Sequence, residues 1–156
     1  MTYFTLNDYI TITTYDSYSF EEKLIIMLRV LVVDDLIVDR FLMKRNLSSN
    51  YQVTTLSSAS EANAFALANT FDIALLNVML HNDLDCIDLL KDLENIPERS
   101  FIPIAITCHI DHSRHKKIVE AGFKAVLKKP FDLQAFNRLV HEFTQVESTR
   151  MNLMSA

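Results

Sequence analysis

Polar side chains follow four of the apolar runs in this sequence, at the point where each run ends. They are Asp34 and Asp35 after the first run, Asn77 after the third, Thr107 after the fourth and Lys129 after the fifth. Paired carboxylates bind a hard cation such as Mg²⁺, a lysine ammonium suits a phosphoryl oxygen, and a threonine hydroxyl can donate to one. Because these residues lie far apart in sequence, they form one site only if the fold brings their strands together.

The apolar runs are typical of strands buried on both faces of a parallel sheet, and amphipathic segments alternate with them. We predict strands at residues 28–33, 51–56, 73–77, 101–107 and 125–128. We predict helices at residues 36–47, 61–69, 86–94 and 111–121, and from 132 onward. Five strands alternating with five helices indicate an α/β, doubly wound sandwich with right-handed crossovers. Chemistry in such sheets takes place beyond the carboxyl ends of the strands.

Two local patterns refine the helix predictions. In the first helix, Val38, Phe41 and Leu42 have the spacing of a face that packs on the core. The fourth helix ends at Gly122, where a left-handed cap residue is needed.

Composition excludes several classes of function. The net charge of -5 is spread along the 156 residues, so no basic patch for nucleic acid or an anionic membrane is expected. The sequence contains no apolar run long enough to span a membrane and no secretory signal pattern. A single glycine, Gly122, excludes glycine-rich nucleotide-binding loops. Two cysteines without a disulfide pattern favour a reducing cytoplasm.

The chain divides into three predicted parts. Residues 1–27 are an N-terminal extension that either forms a short helix through a capping box at its end or has no structural role. Residues 28–145 form the domain, and residues 146–156 are a C-terminal tail. Within the domain, Cys108, His109, His112 and His115 have a spacing that zinc or copper sites also use, although such histidines are more often solvated.

Four motifs in this order resemble the response-regulator receiver domain of two-component signalling. They are Val-Val-Asp-Asp at 32–35, Asp-Ile-Ala-Leu-Leu-Asn at 72–77, Ile-Thr at 106–107, and Ala-Gly at 121–122 with Lys-Pro-Phe at 129–131. The resemblance spans residues 28 to about 143. It implies a flavodoxin-like (βα)5 fold with the sheet order 2-1-3-4-5.

The resemblance also implies roles for the polar residues at the strand ends. Asp34 and Asp35 would hold Mg²⁺ together with the main-chain carbonyl of Met79. Thr107 would be the hydroxyl that moves toward a phosphoryl group, and Lys129 the cation that pairs with that group.

Three further positions can be compared with the family pattern, and two of them carry a residue that differs from it. The Lys129–Pro130 bond resembles one that is usually cis in this family. Val126 falls where an aromatic residue commonly changes rotamer on activation. Asn77 falls on the phosphoacceptor aspartate, through natural divergence or an engineered substitution.

An amide at position 77 changes the expected chemistry. Its oxygen carries no full charge and its nitrogen lone pair is delocalised, so it is a poor acceptor of a phosphoryl group. Losing one of three acidic groups also weakens Mg²⁺ binding. Asn77 could accept a hydrogen bond from Lys129. We therefore expect a pseudo-receiver without enzymatic activity and with weak Mg²⁺ binding.

The resemblance further implies partners in a phosphorelay. These are a histidine kinase, a phosphotransfer protein or an effector, with a homodimer possible through the fourth helix, fifth strand and fifth helix. Neither nucleic acid nor a membrane is expected as a partner. The alternative is a conventional Mg²⁺-dependent phosphoacceptor response regulator, which would require an aspartate at position 77 before an engineered change or after deamidation.

Overall fold

The computed structural model describes residues 27–80, 86–109 and 111–154, with side chains described through residue 144. Residues 27–133 form one compact unit, and the residues from Gln134 onward belong to a second. The two units are therefore described separately. The predicted structure of residues 1–26 and of the loop at 81–85 lies outside the described residues.

Five parallel strands form one sheet in the order β2-β1-β3-β4-β5, as the resemblance implies. The strands are β1 (Arg29–Val33), β2 (Gln52–Leu56), β3 (Ile73–Asn77), β4 (Ile102–Thr107) and β5 (Ala125–Lys128). The helices are α1 (Ile37–Leu47), α2 (Ala59–Ala68), α3 (Cys86–Glu94), α4 (His112–Glu120) and α5 (Leu133–Met154). The predicted α/β fold is confirmed, and most of the strand and helix ends lie within one or two residues of those predicted.

The central strands are buried along their whole length. Every residue of β3 and β4 is buried, because helices cover both faces of a parallel sheet. One face packs against small side chains of α2 (Ala59, Ala62 and Ala66) and larger ones of α3 (Leu89 and Leu93). This burial makes the sheet a rigid support for the residues that follow its carboxyl ends.

Local hydrogen bonds and backbone geometry explain where α2 begins and where α4 begins and ends. The Ser58 hydroxyl accepts from the Glu61 backbone N–H and so caps α2. Asp111 caps α4 in the same way. Gly122 has a φ of +112°, the left-handed region that an L side chain adopts only with strain, and ends the turn after α4 as predicted.

The predicted orientation of α1 is wrong. Val38, Phe41 and Leu42 were expected to face the core, but all three are exposed, and the buried side chains of α1 are Met43 and Leu47. The spacing of the apolar residues gave the wrong orientation because this helix carries large apolar residues on its outer face. An apolar surface patch on α1 is the result.

Helix α5 continues to Met154, through most of the segment predicted as a tail. None of the described helices combines the length and apolarity that crossing a bilayer would require.

Candidate functional site at the carboxyl ends of the strands

The sheet brings the ends of β1, β3, β4 and β5 to one edge. Asn77 lies opposite Ile106 in the register of β3 and β4, one residue before Thr107. The Lys129 backbone N–H donates to the Thr107 carbonyl at 2.8 Å, which ties the end of β5 to the end of β4. Residues that are 42 to 95 positions apart in sequence, such as Asp34 and Lys129, therefore share one site.

The Asn77 side chain is buried and donates two hydrogen bonds through its amide nitrogen. Nδ2 lies 2.9 Å from Oδ1 of Asp35 and 2.7 Å from the main-chain carbonyl of Met79. These acceptors are two of the three groups that the resemblance assigns to Mg²⁺. In this chain they are bridged by an amide N–H₂ group.

Asp34 is fully buried, and both of its carboxylate oxygens accept hydrogen bonds. Oδ1 accepts from the Leu36 backbone N–H at 2.9 Å, at the start of α1. Oδ2 accepts from Lys129 Nζ at 2.5 Å. The main-chain carbonyl of Asp34 also accepts from Arg40 at 2.6 Å. Asp34 thus both supports the start of α1 and pairs with a cation.

Lys129 has a second acidic partner, Asp39, whose Oδ2 lies 2.8 Å from Nζ. Burial lowers the pKa of Lys129, but the hydrogen bonds and charges of Asp34 and Asp39 more than offset this and raise that pKa above its ordinary value. The ammonium group is therefore charged at neutral pH and bridges two carboxylates.

Asp39 was not included in the predicted site, because the wrong face of α1 was assigned to the core. It stands four residues before the buried Met43, one helical turn away, so it lies on the inward face of α1. Orienting the helix by Phe41 placed Asp39 toward solvent. A second missed residue is Arg114 of α4, whose guanidinium approaches the Val78 carbonyl at 3.5 Å.

The remaining predicted residues, Thr107, Val126 and Pro130, lie in or next to β4 and β5. The Thr107 hydroxyl donates to the His109 carbonyl at 2.8 Å, within the loop after β4. Val126 lines a cavity of about 170 Å³ together with Thr107, His109, His115 and Lys128. The Lys129–Pro130 peptide bond is cis. A hydrogen bond from Lys129 to Asn77 was an expectation; within residues 27–80, 86–109 and 111–144, Lys129 instead pairs with Asp34 and Asp39.

The histidines near the start of α4 are not gathered into a metal site. Among the described residues, no three His, Cys, Asp or Glu side chains are grouped as metal ligands would be. His112 and His115 are exposed, which favours the interpretation of these histidines as solvated.

Comparisons with known proteins agree with this geometry. The family model described as the response regulator receiver domain matches residues 30–141. No curated protein gives a significant sequence match.

Solved structures of receivers share the fold at low sequence identity. A CheY-like receiver domain from Methanospirillum hungatei JF-1 has a TM-score of 0.70 at 22% identity, over 80% of this chain and 98% of that one. CheY4 of Vibrio cholerae has a TM-score of 0.68 at 23% identity, over 75% and 98%. A Burkholderia pseudomallei response regulator, solved with a phosphorylated aspartic acid and a calcium ion, has a TM-score of 0.66 at 21% identity, over 83% and 75%.

Proposed function

Because the chain belongs to the response regulator receiver domain family, we propose that it is a receiver-like signalling module that does not take a phosphoryl group at residue 77. Its output is then carried by protein–protein contacts in a two-component system or phosphorelay. It has no enzymatic activity of its own, and it works in the cytoplasm with a histidine kinase, a phosphotransfer protein or an effector.

One observation carries this proposal: residue 77, which the resemblance assigns to the phosphoacceptor position, is an amide whose nitrogen is held toward Asp35 and Met79. Phosphoryl transfer needs a nucleophilic oxygen in line with the donor phosphate. The amide supplies an uncharged oxygen of low nucleophilicity. The pairing of Lys129 with Asp34 and Asp39 also supports the proposal, since these two carboxylates already balance the charge of the Lys129 ammonium group.

The α1 patch, defined as Leu36, Ile37, Val38, Phe41 and Leu42, supports a role in protein contacts. All five side chains are exposed, and they lie beside the candidate site. Clusters of large exposed apolar side chains often mark an interaction site. The exposed Lys44 and Arg45 follow on the same helix, so the patch suits a partner helix with an apolar face and acidic flanks.

The surface first expected, on α4, β5 and α5, stays a prediction. The two surfaces are separable by mutation because the α1 patch involves none of those three elements.

A conventional phosphoacceptor regulator is not favoured. Deamidation of Asn77 would proceed by attack of the Val78 backbone nitrogen on the side-chain carbonyl. That nitrogen donates a hydrogen bond to the Ile106 carbonyl at 2.9 Å, and the branched Val78 side chain hinders the approach. An aspartate at this position would therefore not be expected to form spontaneously in the folded chain.

The proposal predicts that acetyl phosphate and Mg²⁺ add no phosphoryl group to residue 77 of the purified 156-residue chain. Intact-mass spectrometry is the measurement, and the matched control is Asn77→Asp, which restores a carboxylate nucleophile and should gain one acid-labile phosphoryl group. A phosphoryl adduct on residue 77 of the unmodified chain would overturn the proposal.

A further inference from the structure

We infer that the Asn77 side-chain amide takes the place of the divalent cation in this site, so that the chain keeps its strand-end geometry without metal. This deepens the proposed function, since it explains how a site without a phosphoacceptor stays ordered. The inference concerns metal binding and the proposed function concerns phosphoryl transfer, so each can fail without the other.

The orientation of the amide follows from its partners. Oδ1 of the Asp35 carboxylate and the main-chain oxygen of Met79 are both hydrogen-bond acceptors. Turning the amide by 180° would place its oxygen against both of them. The amide nitrogen must therefore be the atom that faces these two groups at 2.9 and 2.7 Å.

The arrangement of donors does not fit Mg²⁺. This ion needs oxygens at about 2.0–2.1 Å in octahedral geometry. In this chain two of its expected ligands converge on an N–H₂ group, which presents hydrogens and not lone pairs. A cation can reach Asp35 and Met79 only if the amide breaks both hydrogen bonds and turns away.

The third expected ligand is engaged as well. Oδ1 of Asp34 accepts from the Leu36 N–H, and Oδ2 accepts from the Lys129 ammonium. The ammonium supplies the positive charge that a cation would otherwise bring to Asp34, and the amide supplies the donors for Asp35 and Met79. An internal amide and an internal ammonium thus satisfy together the oxygens that relatives are expected to offer to a metal.

The test compares thermal unfolding of the full chain with and without millimolar MgCl₂, at matched ionic strength set with NaCl. Ligand that binds only the folded state raises the melting temperature. The unmodified chain should show no rise with Mg²⁺. Asn77→Asp should melt below the unmodified chain without metal, since three carboxylates then converge, and should rise with Mg²⁺.

Asn77→Ala is the deciding variant. It removes the donor without adding charge, so it uncovers Asp35 and the Met79 carbonyl. If the amide blocks the ion, Asn77→Ala should bind Mg²⁺ more tightly than the unmodified chain, and on the order of tenfold weaker than Asn77→Asp because a charged ligand is absent. Isothermal titration with MgCl₂ supplies the affinities.

Two results would overturn the inference. One is a rise in the melting temperature of the unmodified chain with Mg²⁺ that Asn77→Ala loses, because the Asn77 oxygen would then be a ligand. The other is an unchanged melting temperature of Asn77→Ala in the absence of metal, because the two hydrogen bonds of the amide would then contribute nothing.

Discussion

Lys129→Met is expected to lower the free energy of unfolding by about 3–5 kcal/mol, the cost of removing one partner from a buried ion pair. The Lys129 side chain is only 10% exposed and that of Asp34 is 0% exposed. Methionine keeps the length and apolar volume of the lysine stem, so the decrease in the free energy of unfolding measures the effect of removing the charge. Without the ammonium, the Asp34 carboxylate keeps its hydrogen bond from the Leu36 backbone N–H but loses its cationic partner. Urea denaturation monitored by circular dichroism gives the measurement.

Two controls separate the buried pair from general effects. Asp39→Asn removes the partly exposed partner and should cost about 1 kcal/mol, the usual net value of one hydrogen bond. Asp34→Asn combined with Lys129→Met removes both buried charges and should recover part of the loss seen in Lys129→Met alone. A loss below about 1 kcal/mol for Lys129→Met would contradict a buried, compensated pair.

Met43→Ala is expected to lower the free energy of unfolding by about 2–5 kcal/mol, while Phe41→Ala should change it by no more than about 0.5 kcal/mol. Met43 is 2% exposed and Phe41 63%. The two residues lie two positions apart on α1, so they point to different sides of the helix. Both variants introduce alanine, the best helix former, so helix propensity cannot explain a loss at residue 43.

The pair of variants is a direct test of the orientation of α1, with urea midpoints as the readout. Equal losses, or a larger loss for Phe41→Ala, would mean that the amphipathic spacing was correct and that Phe41 faces the core. The folded Phe41→Ala chain also probes the α1 patch, since it should bind a cognate partner protein more weakly than the unmodified chain at unchanged stability.

The fold could be predicted because its strands are unambiguous. Continuous apolar runs such as residues 73–76 are buried on both faces, and short connections leave few topologies. Helix α1 could not be oriented in the same way, because the rule that apolar residues face inward holds only where the outer face is polar. Ile37, 72% exposed, breaks that rule together with its neighbours on the α1 patch.

Most residues of the candidate site could be predicted from the sequence, whereas the hydrogen-bond partners of their side chains were harder to predict. The strand order that the resemblance implies placed Asp34, Asp35, Asn77 and Lys129 at one edge of the sheet. Sequence cannot reveal which acceptor an ammonium on a flexible stem selects, and a carboxylate attracts it more strongly than a neutral amide oxygen does. Lys129 therefore pairs with acids, and one of these, Asp39, was hidden by the orientation error in α1.

The central claim is that the Asn77 amide donates hydrogen bonds to the two oxygens that would otherwise bind a metal ion. Nuclear magnetic resonance of the ¹⁵N-labelled full chain, read at the side-chain N–H₂ group of Asn77, tests it most directly. The account predicts two separate proton resonances that exchange slowly with water and do not move as MgCl₂ is added, and that vanish in Asn77→Ala. Rapid exchange of those protons, or a saturable shift of the resonances with Mg²⁺, would contradict it.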